Sequence, residues 1–227
     1  MLAAILFDLD GTLANTDPLH YQVWQGILRD YGLEIDEIFY QSQISGRTNQ
    51  ELIKEILPSL SLEAGQELAE QKEALFRQLA LQLKPLPGLA KTLAWTDELR
   101  LQKAVVTNAP APNAQFMLSV LGLSDTFESV TLAEQAAAGK PDPAPYQLAL
   151  KRLGISPESA ITFEDSPSGI RSSVGAGIRT IGIASTHKPE NLCSAGAMMA
   201  VPDFTDEQLW LWLSSEVGSG TSQKLSI

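Results

Sequence analysis

The chain has 227 residues, 44% hydrophobic and 19% charged, the composition of an ordinary soluble globular protein with one large domain or one domain carrying an insertion. Its formal net charge of −11 argues against nucleic acid or an anionic membrane as partner, though not against a small anionic substrate met by local cations. Cys193 is the only cysteine, which excludes an internal disulfide framework and a cysteine metal cluster and points to a reducing, cytoplasmic setting.

Ala3-Ala4-Ile5-Leu6-Phe7 is an uninterrupted apolar run of strand length, the pattern of a central parallel strand covered on both faces. It has no basic leader and Asp8 interrupts it, so neither a signal peptide nor a spanning helix is expected there. Asp8-Leu-Asp10-Gly11-Thr12 then turns acidic, and Gly11 lets the backbone leave the sheet tightly. Ligands of open α/β sheets bind just beyond the carboxyl ends of strands. Two acids there offer side-chain and carbonyl oxygens to a hard cation such as Mg²⁺. The same residues also suit a plain strand-end turn.

The next 70 or so residues read as helices. Asp17-Pro18 reads as N-cap and first position of a helix stopped by Gly32, with Trp24, Ile27, Leu28 and Tyr31 at helical spacing. Thr48 and Glu51 form a capping box ahead of Leu52, Ile53, Ile56 and Leu57. Ser61 opens a third helix carrying Leu68, Leu75, Phe76 and Leu79, broken by Pro85 and Pro87-Gly88. Lys72 lies on that helix's apolar face, where it either snorkels or reaches a ligand. His20 shares a face with Trp24, Ile27 and Tyr31, as a packed histidine or a functional one. Arg47 follows Gly46 just before a helix, a place to fork an anionic or hydroxyl-rich ligand or merely to face solvent.

After Gly88 strands and helices alternate. Apolar runs at Lys103–Thr107, Ser129–Thr131, Ala160–Phe163 and Thr180–Ile183 are separated by helices with Gly stops at Gly122 and Gly154. Asp142-Pro143 opens a helix as Asp17-Pro18 does. Such alternation means an α/β fold, a doubly wound parallel sheet. The stretch Ser214–Ile227 is rich in Ser and Gly and is expected to fray.

Three later strand ends carry chemistry: Thr107-Asn108, Gly139-Lys140-Pro141 between strands, and Glu164-Asp165. Each has a plain alternative: a strand residue and turn, a solvated loop charge, and acids favoured at a helix N-terminus. With all strands parallel they meet Asp8 and Asp10 on one rim. Four carboxylates there repel one another unless a divalent cation or a lysine is present.

In order and spacing, Asp8-x-Asp10-Gly11-Thr12, Thr107-Asn108, Lys140-Pro141 and Glu164-Asp165-Ser166 resemble the four motifs of the haloacid dehalogenase-like superfamily. The resemblance runs from Ala3 to about Ile183. The helical segment after the first motif is similar to the small cap of the subgroup holding β-phosphoglucomutase and its phosphatase relatives. His20, Trp24, Gly46, Arg47 and Lys72 stand where the mutase has cap and linker residues, whereas Thr107-Asn108 looks more like the phosphatases. The implied organisation is an α/β core over 1–14 and 86–215, an all-helical cap over 15–85 acting as a mobile lid, and a flexible tail over 216–227.

The resemblance also implies the chemistry. Asp8 is the nucleophile and Asp10 the general acid and base. Thr107 and Lys140 spread the charge of the transferring group, and Asn108 helps bind the substrate. Mg²⁺ is held by Asp8, the Asp10 carbonyl and Asp165, with Glu164 favoured as an outer partner. The expected enzyme is a monomeric phosphatase of a small phosphorylated metabolite, such as a sugar phosphate or phosphoglycolate. A phosphomutase is the first alternative and a non-catalytic binding protein on the same fold the second. A receiver domain, with its phosphorylated aspartate on a later strand and no helical insertion, fits poorly.

Overall fold

The computed structural model describes residues 1–45 and 47–218. They divide into two compact units, one made of Met1–Asn15 and Lys84 onward, the other of Thr16–Leu83. No helix among the described residues is long and apolar enough to cross a membrane.

The Thr16–Leu83 unit is helical: α1 (Asp17–Asp30), the short α2 (Glu37–Phe39), α3 (Asn49–Ile56) and α4 (Leu62–Leu79). A π-helical turn, Tyr40–Ile44, follows α2 directly. The capping box on α3 forms as expected, with the Thr48 side chain accepting from Glu51 N–H, and Ser61 caps α4 by accepting from Ala64 N–H. The start of α1 differs from the sequence reading. Thr16 is the N-cap, without a side-chain cap bond, and Asp17 is already inside the helix. Its carboxylate accepts instead from Tyr40 Oη at 2.7 Å, Gln41 Nε2 at 2.8 Å and Ser45 Oγ at 3.2 Å. Three donors from one distant segment outcompete a local cap.

The α/β unit holds β1 (Ala4–Phe7), α5 (Leu89–Glu98), β2 (Gln102–Thr107), α6 (Ala111–Val120), β3 (Ser129–Leu132), α7 (Ala144–Leu153), β4 (Ala160–Glu164), α8 (Pro167–Gly175), β5 (Arg179–Ile183), α9 (Pro189–Ser194), β6 (Met199–Val201) and α10 (Glu207–Gly218). Its six strands form one all-parallel sheet in the order β3-β2-β1-β4-β5-β6. This is the doubly wound sheet the alternating pattern predicts. β1 is central because Ala4 to Phe7 are wholly buried and need cover on both faces. On one face Ala4, Leu6, Ala104, Val106 and Ala160 pack with Tyr146, Ala149 and Leu150 of α7. On the other Phe7 stacks on Phe163 at 5.5 Å between ring centroids, and both meet Phe204.

Three differences from the sequence reading concern ends. α7 begins at Ala144 with Pro143 as N-cap, and Asp142 Oδ1 accepts from Ala144 N–H at 2.9 Å. β6 is only three residues long, too short for its alternation to register. Ser214 to Gly218 fall within the bounds of α10. Its Leu209 and Leu213 are fully buried, and Glu216 pairs with Arg179 at 2.5 Å. The rest of the expected tail, from Ser219, lies outside the described residues.

Candidate active site

Strand order places the site. The chain runs from β1 outward through β2 to β3, then returns to add β4 on the other side of β1. β1 and β4 therefore flank a reversal of strand order, where open parallel sheets bind ligands beyond the carboxyl ends. Phe7 pairs with Phe163 in register, and Asp8 N–H donates to the Phe163 carbonyl at 3.0 Å. Asp8 and Glu164 are thus the next register partners, on the same side of the sheet by strand parity.

A buried carboxylate cluster results. Ligand atoms of Asp8, Glu164 and Asp165 lie within 4.8 Å of one another, and all three residues are buried. Lys140 enters from the segment after β3 and donates to Asp8 Oδ1 at 2.6 Å and to Glu164 Oε1 at 2.7 Å. Its ammonium also lies 5.1 Å from the ring centroid of the buried Tyr146. Glu164 accepts at both oxygens: beside the Lys140 bond, its Oε2 accepts from Ser166 N–H at 2.7 Å and from Ser166 Oγ at 3.0 Å.

Two glycines make room for these acids. A Cβ on Gly169, in the first turn of α8, would overlap the Glu164 carboxylate. A Cβ on Gly11 would overlap Asp165, and its φ of +78° is one that side chains rarely adopt. The Asp10–Ala14 turn is closed by Gly11 N–H donating to the Ala14 carbonyl at 2.8 Å.

One lysine does not neutralise this cluster. Burial pushes the Asp8 carboxyl up to about 7, the charges of Glu164 and Asp10 adding to it while Lys140 opposes them. Burial, then Glu164 and Asp8, also raises Asp165 well above the usual carboxylate range. Burial disfavours the Lys140 ammonium, but Asp8 and Glu164 outweigh it and hold the ammonium charged beyond the ordinary lysine range. Hard oxygen donors, close together, buried and short of positive charge, suit a divalent metal ion.

The remaining sequence candidates divide. Thr107 is buried at the end of β2, beside β1, and its Oγ1 accepts from Ala109 N–H at 2.9 Å. The Asn108 amide brackets the Lys140 backbone, accepting from its N–H at 3.0 Å and donating to its carbonyl at 3.3 Å. Asn108 thereby fixes the segment that delivers the lysine.

In the helical unit, His20, Trp24 and Lys72 come together. Lys72 is buried, donates to Glu73 Oε1 at 2.9 Å and to His20 Nδ1 at 3.0 Å, and lies 6.0 Å from the Trp24 ring centroid. His20 stacks on Phe76 at 4.2 Å. Arg47 stands apart from them, bonded to Glu55 at 2.5 Å and to the Gln43 carbonyl at 3.1 Å. Gly46 lies outside the described residues.

Sequence reading missed the segment after β5. Ser185 donates to the Gly11 carbonyl and Thr186 to Asp165 Oδ2. The one available signal was a cluster of hydroxyls past the fifth apolar run, the same place on its strand as the recognised motifs.

Residues 5–183 match the family described as haloacid dehalogenase-like hydrolase, and the chain belongs to that family. It is an enzyme, a hydrolase of that superfamily. Among its relatives is a phosphorylated carbohydrates phosphatase of Thermotoga maritima, 31% identical over 88% of this chain and 94% of the relative. A validoxylamine A 7′-phosphate phosphatase of Streptomyces hygroscopicus subsp. limoneus is also 31% identical, over 88% and 93%. The crystal structure of a β-phosphoglucomutase from Clostridium difficile aligns with a TM-score of 0.82 at 26% identity, covering 96% of this chain and 99% of the mutase.

Proposed function

We propose that the protein is a Mg²⁺-dependent phosphatase of a small phosphorylated metabolite, of the sugar phosphate or phosphoglycolate type, acting through an aspartyl-phosphate on Asp8. The observation that carries this reading is the carboxylate Asp8 at the strand-order reversal, held by Lys140 and facing Asp165. Relatives named as phosphatases of phosphorylated carbohydrates support the substrate class.

The chemistry follows from the groups present. An Asp8 oxygen attacks phosphorus in line, forming an O–P bond as the bond from phosphorus to the ester oxygen breaks. Asp10, half-buried beside Asp8, gives that oxygen its proton. Asp10 then takes a proton from the water that attacks the aspartyl-phosphate, and phosphate leaves. Lys140 spreads the negative charge of the transferring group and favours the ionised form of Asp8. Asp8, the Asp10 carbonyl and Asp165 would hold the cation, which supplies charge neutralisation for the phosphoryl oxygens. Glu164 acts from outside, because it already accepts three hydrogen bonds, one from Lys140 and two from Ser166, against one side-chain bond each at Asp8 and Asp165. The Thr16–Leu83 unit is proposed as the cap that supplies substrate selectivity, through His20, Trp24, Arg47 and Lys72.

The test is release of phosphate from p-nitrophenyl phosphate and from a panel of phosphorylated metabolites, with and without Mg²⁺. Asp8→Asn should abolish release while leaving the fold intact; retained turnover would mean another nucleophile. The likeness to β-phosphoglucomutase makes a phosphomutase the second reading. Glucose phosphates supplied with a bisphosphate activator decide between the two, since isomerised sugar in place of free phosphate establishes the mutase.

A further inference from the structure

The segment after β5 touches both acidic loops of the α/β unit. Ser185 Oγ donates to the carbonyl of Gly11, the residue after Asp10. Thr186 Oγ1 contacts Asp165 twice, at carboxylate Oδ2 and, at 3.3 Å, at the backbone carbonyl. A hydroxyl has one proton, and both partners are acceptors. In the ionised form that would hold a cation, the carboxylate contact is charge-assisted, so the proton belongs there. His187 Nδ1 lies 2.9 Å from the same hydroxyl oxygen. With its proton given to Asp165, that oxygen can only accept, so His187 Nδ1 carries a proton and donates. The order is imidazole N–H to hydroxyl, then hydroxyl to carboxylate. Gly11 closes in on the same carboxylate oxygen and on the Thr186 methyl, leaving no space for even a Cβ against Asp165. The Asp165 Oδ2 is thus bonded by Thr186 and walled in by the first acidic loop.

We propose that Thr186, oriented by His187, is a positioning residue for the metal centre: it fixes the rotation of the Asp165 carboxylate and thereby sets the affinity for the divalent cation. This rests on the cation assignment made under the proposed function. Hydrogen-bond partners of metal-binding side chains typically change metal affinity about 10–100-fold when removed. Thr186→Val keeps the shape and loses the donor. Thr186→Ser keeps the donor. His187→Ala removes the group that orients the hydroxyl, and His187→Asn retains an N–H at a similar place.

The experiment is calorimetric titration of the metal-free full chain with Mg²⁺ alone, beside its melting temperature without metal. Thr186→Val should bind Mg²⁺ about 10–100-fold more weakly with the metal-free melting temperature little changed. Thr186→Ser should restore wild-type affinity, and His187→Ala should weaken binding where His187→Asn does not. Equal affinity in Thr186→Val overturns the inference, as does failure of Thr186→Ser to restore binding. If Thr186→Val does not fold, equal affinity in His187→Ala overturns it instead. A wild-type chain that binds no Mg²⁺ overturns the cation assignment itself, a distinct outcome.

Discussion

Lys140 and Asp8 stand 132 positions apart in the chain, yet the lysine ammonium donates to Asp8 Oδ1 at 2.6 Å. Both side chains are almost wholly buried, at 4% and 8% exposure. The same ammonium bonds Glu164 at 2.7 Å, so a single positive charge serves two buried carboxylates. Removing one partner of a buried pair is far worse than never having built it.

Lys140→Ala should therefore cost both stability and turnover. Breaking a buried ion pair typically destabilises by about 3–5 kcal/mol, which a denaturant titration reads directly. Phosphate release should fall by about 100-fold or more, on the scale of losing one transition-state donor. Lys140→Ala with wild-type stability would mean that Asp8 and Glu164 are solvated, contrary to their burial.

The raised carboxyls set a pH dependence for the metal-free protein. Asp8 titrates near 7 when folded, against 3.8 for a free side chain, and Asp165 is also raised, both chiefly by burial. Between these values the folded chain binds more protons than the unfolded one, so stability falls as pH rises through the window. The melting temperature in chelator should drop between about pH 4 and about pH 7. Added Mg²⁺ should raise it, and more at the higher pH, where the carboxylates are ionised. A flat profile in chelator would show that burial does not control these groups.

Two glycines make an internally controlled pair. Gly169→Ala forces a methyl into the Glu164 carboxylate and should disturb Lys140 and Asp8 with it, lowering turnover strongly. Gly26, inside α1, has open space around its would-be Cβ. Gly26→Ala should stabilise by about 0.5–1 kcal/mol through helix propensity and leave turnover unchanged. Chemical denaturation and phosphate-release assays on both variants check the pair.

Lys72 and Glu73 form a second buried pair, in the helical unit. Burial raises the Glu73 carboxyl, but Lys72, with His20 and the Asn49 amide at 2.5 Å, overcomes it and holds the group below its ordinary value. Its stabilisation is complete above 4.5 and is lost as pH falls through the lowered folded value. Glu73→Ala leaves Lys72 buried against Trp24 and Phe76 without its carboxylate, and should destabilise by about 3–5 kcal/mol. Glu73→Gln, which keeps an acceptor, should cost less in the same denaturant titration.

By itself the sequence determined most of the strands and helices and which acids stand at strand ends, but not β6. Ala4 to Phe7 is apolar without a break, the pattern of a covered strand, and the acids after it follow that strand's carboxyl end. The Thr48–Glu51 box and the Ser61 cap were legible because capping acts within four residues. The tertiary structure decided what long-range contacts decide. Asp17 left its expected cap for Tyr40, Gln41 and Ser45, because three donors outweigh one local bond. Asn108 found its partner in the Lys140 backbone, 32 positions away. Thr186 acquired its place at Asp165 only because β4 and β5 are neighbours in the sheet, which brings the segment after β5 against the end of β4. Local spacing carries hydrogen bonds a few residues long, whereas a carboxylate's partner across the sheet is chosen by strand order, which no local pattern encodes.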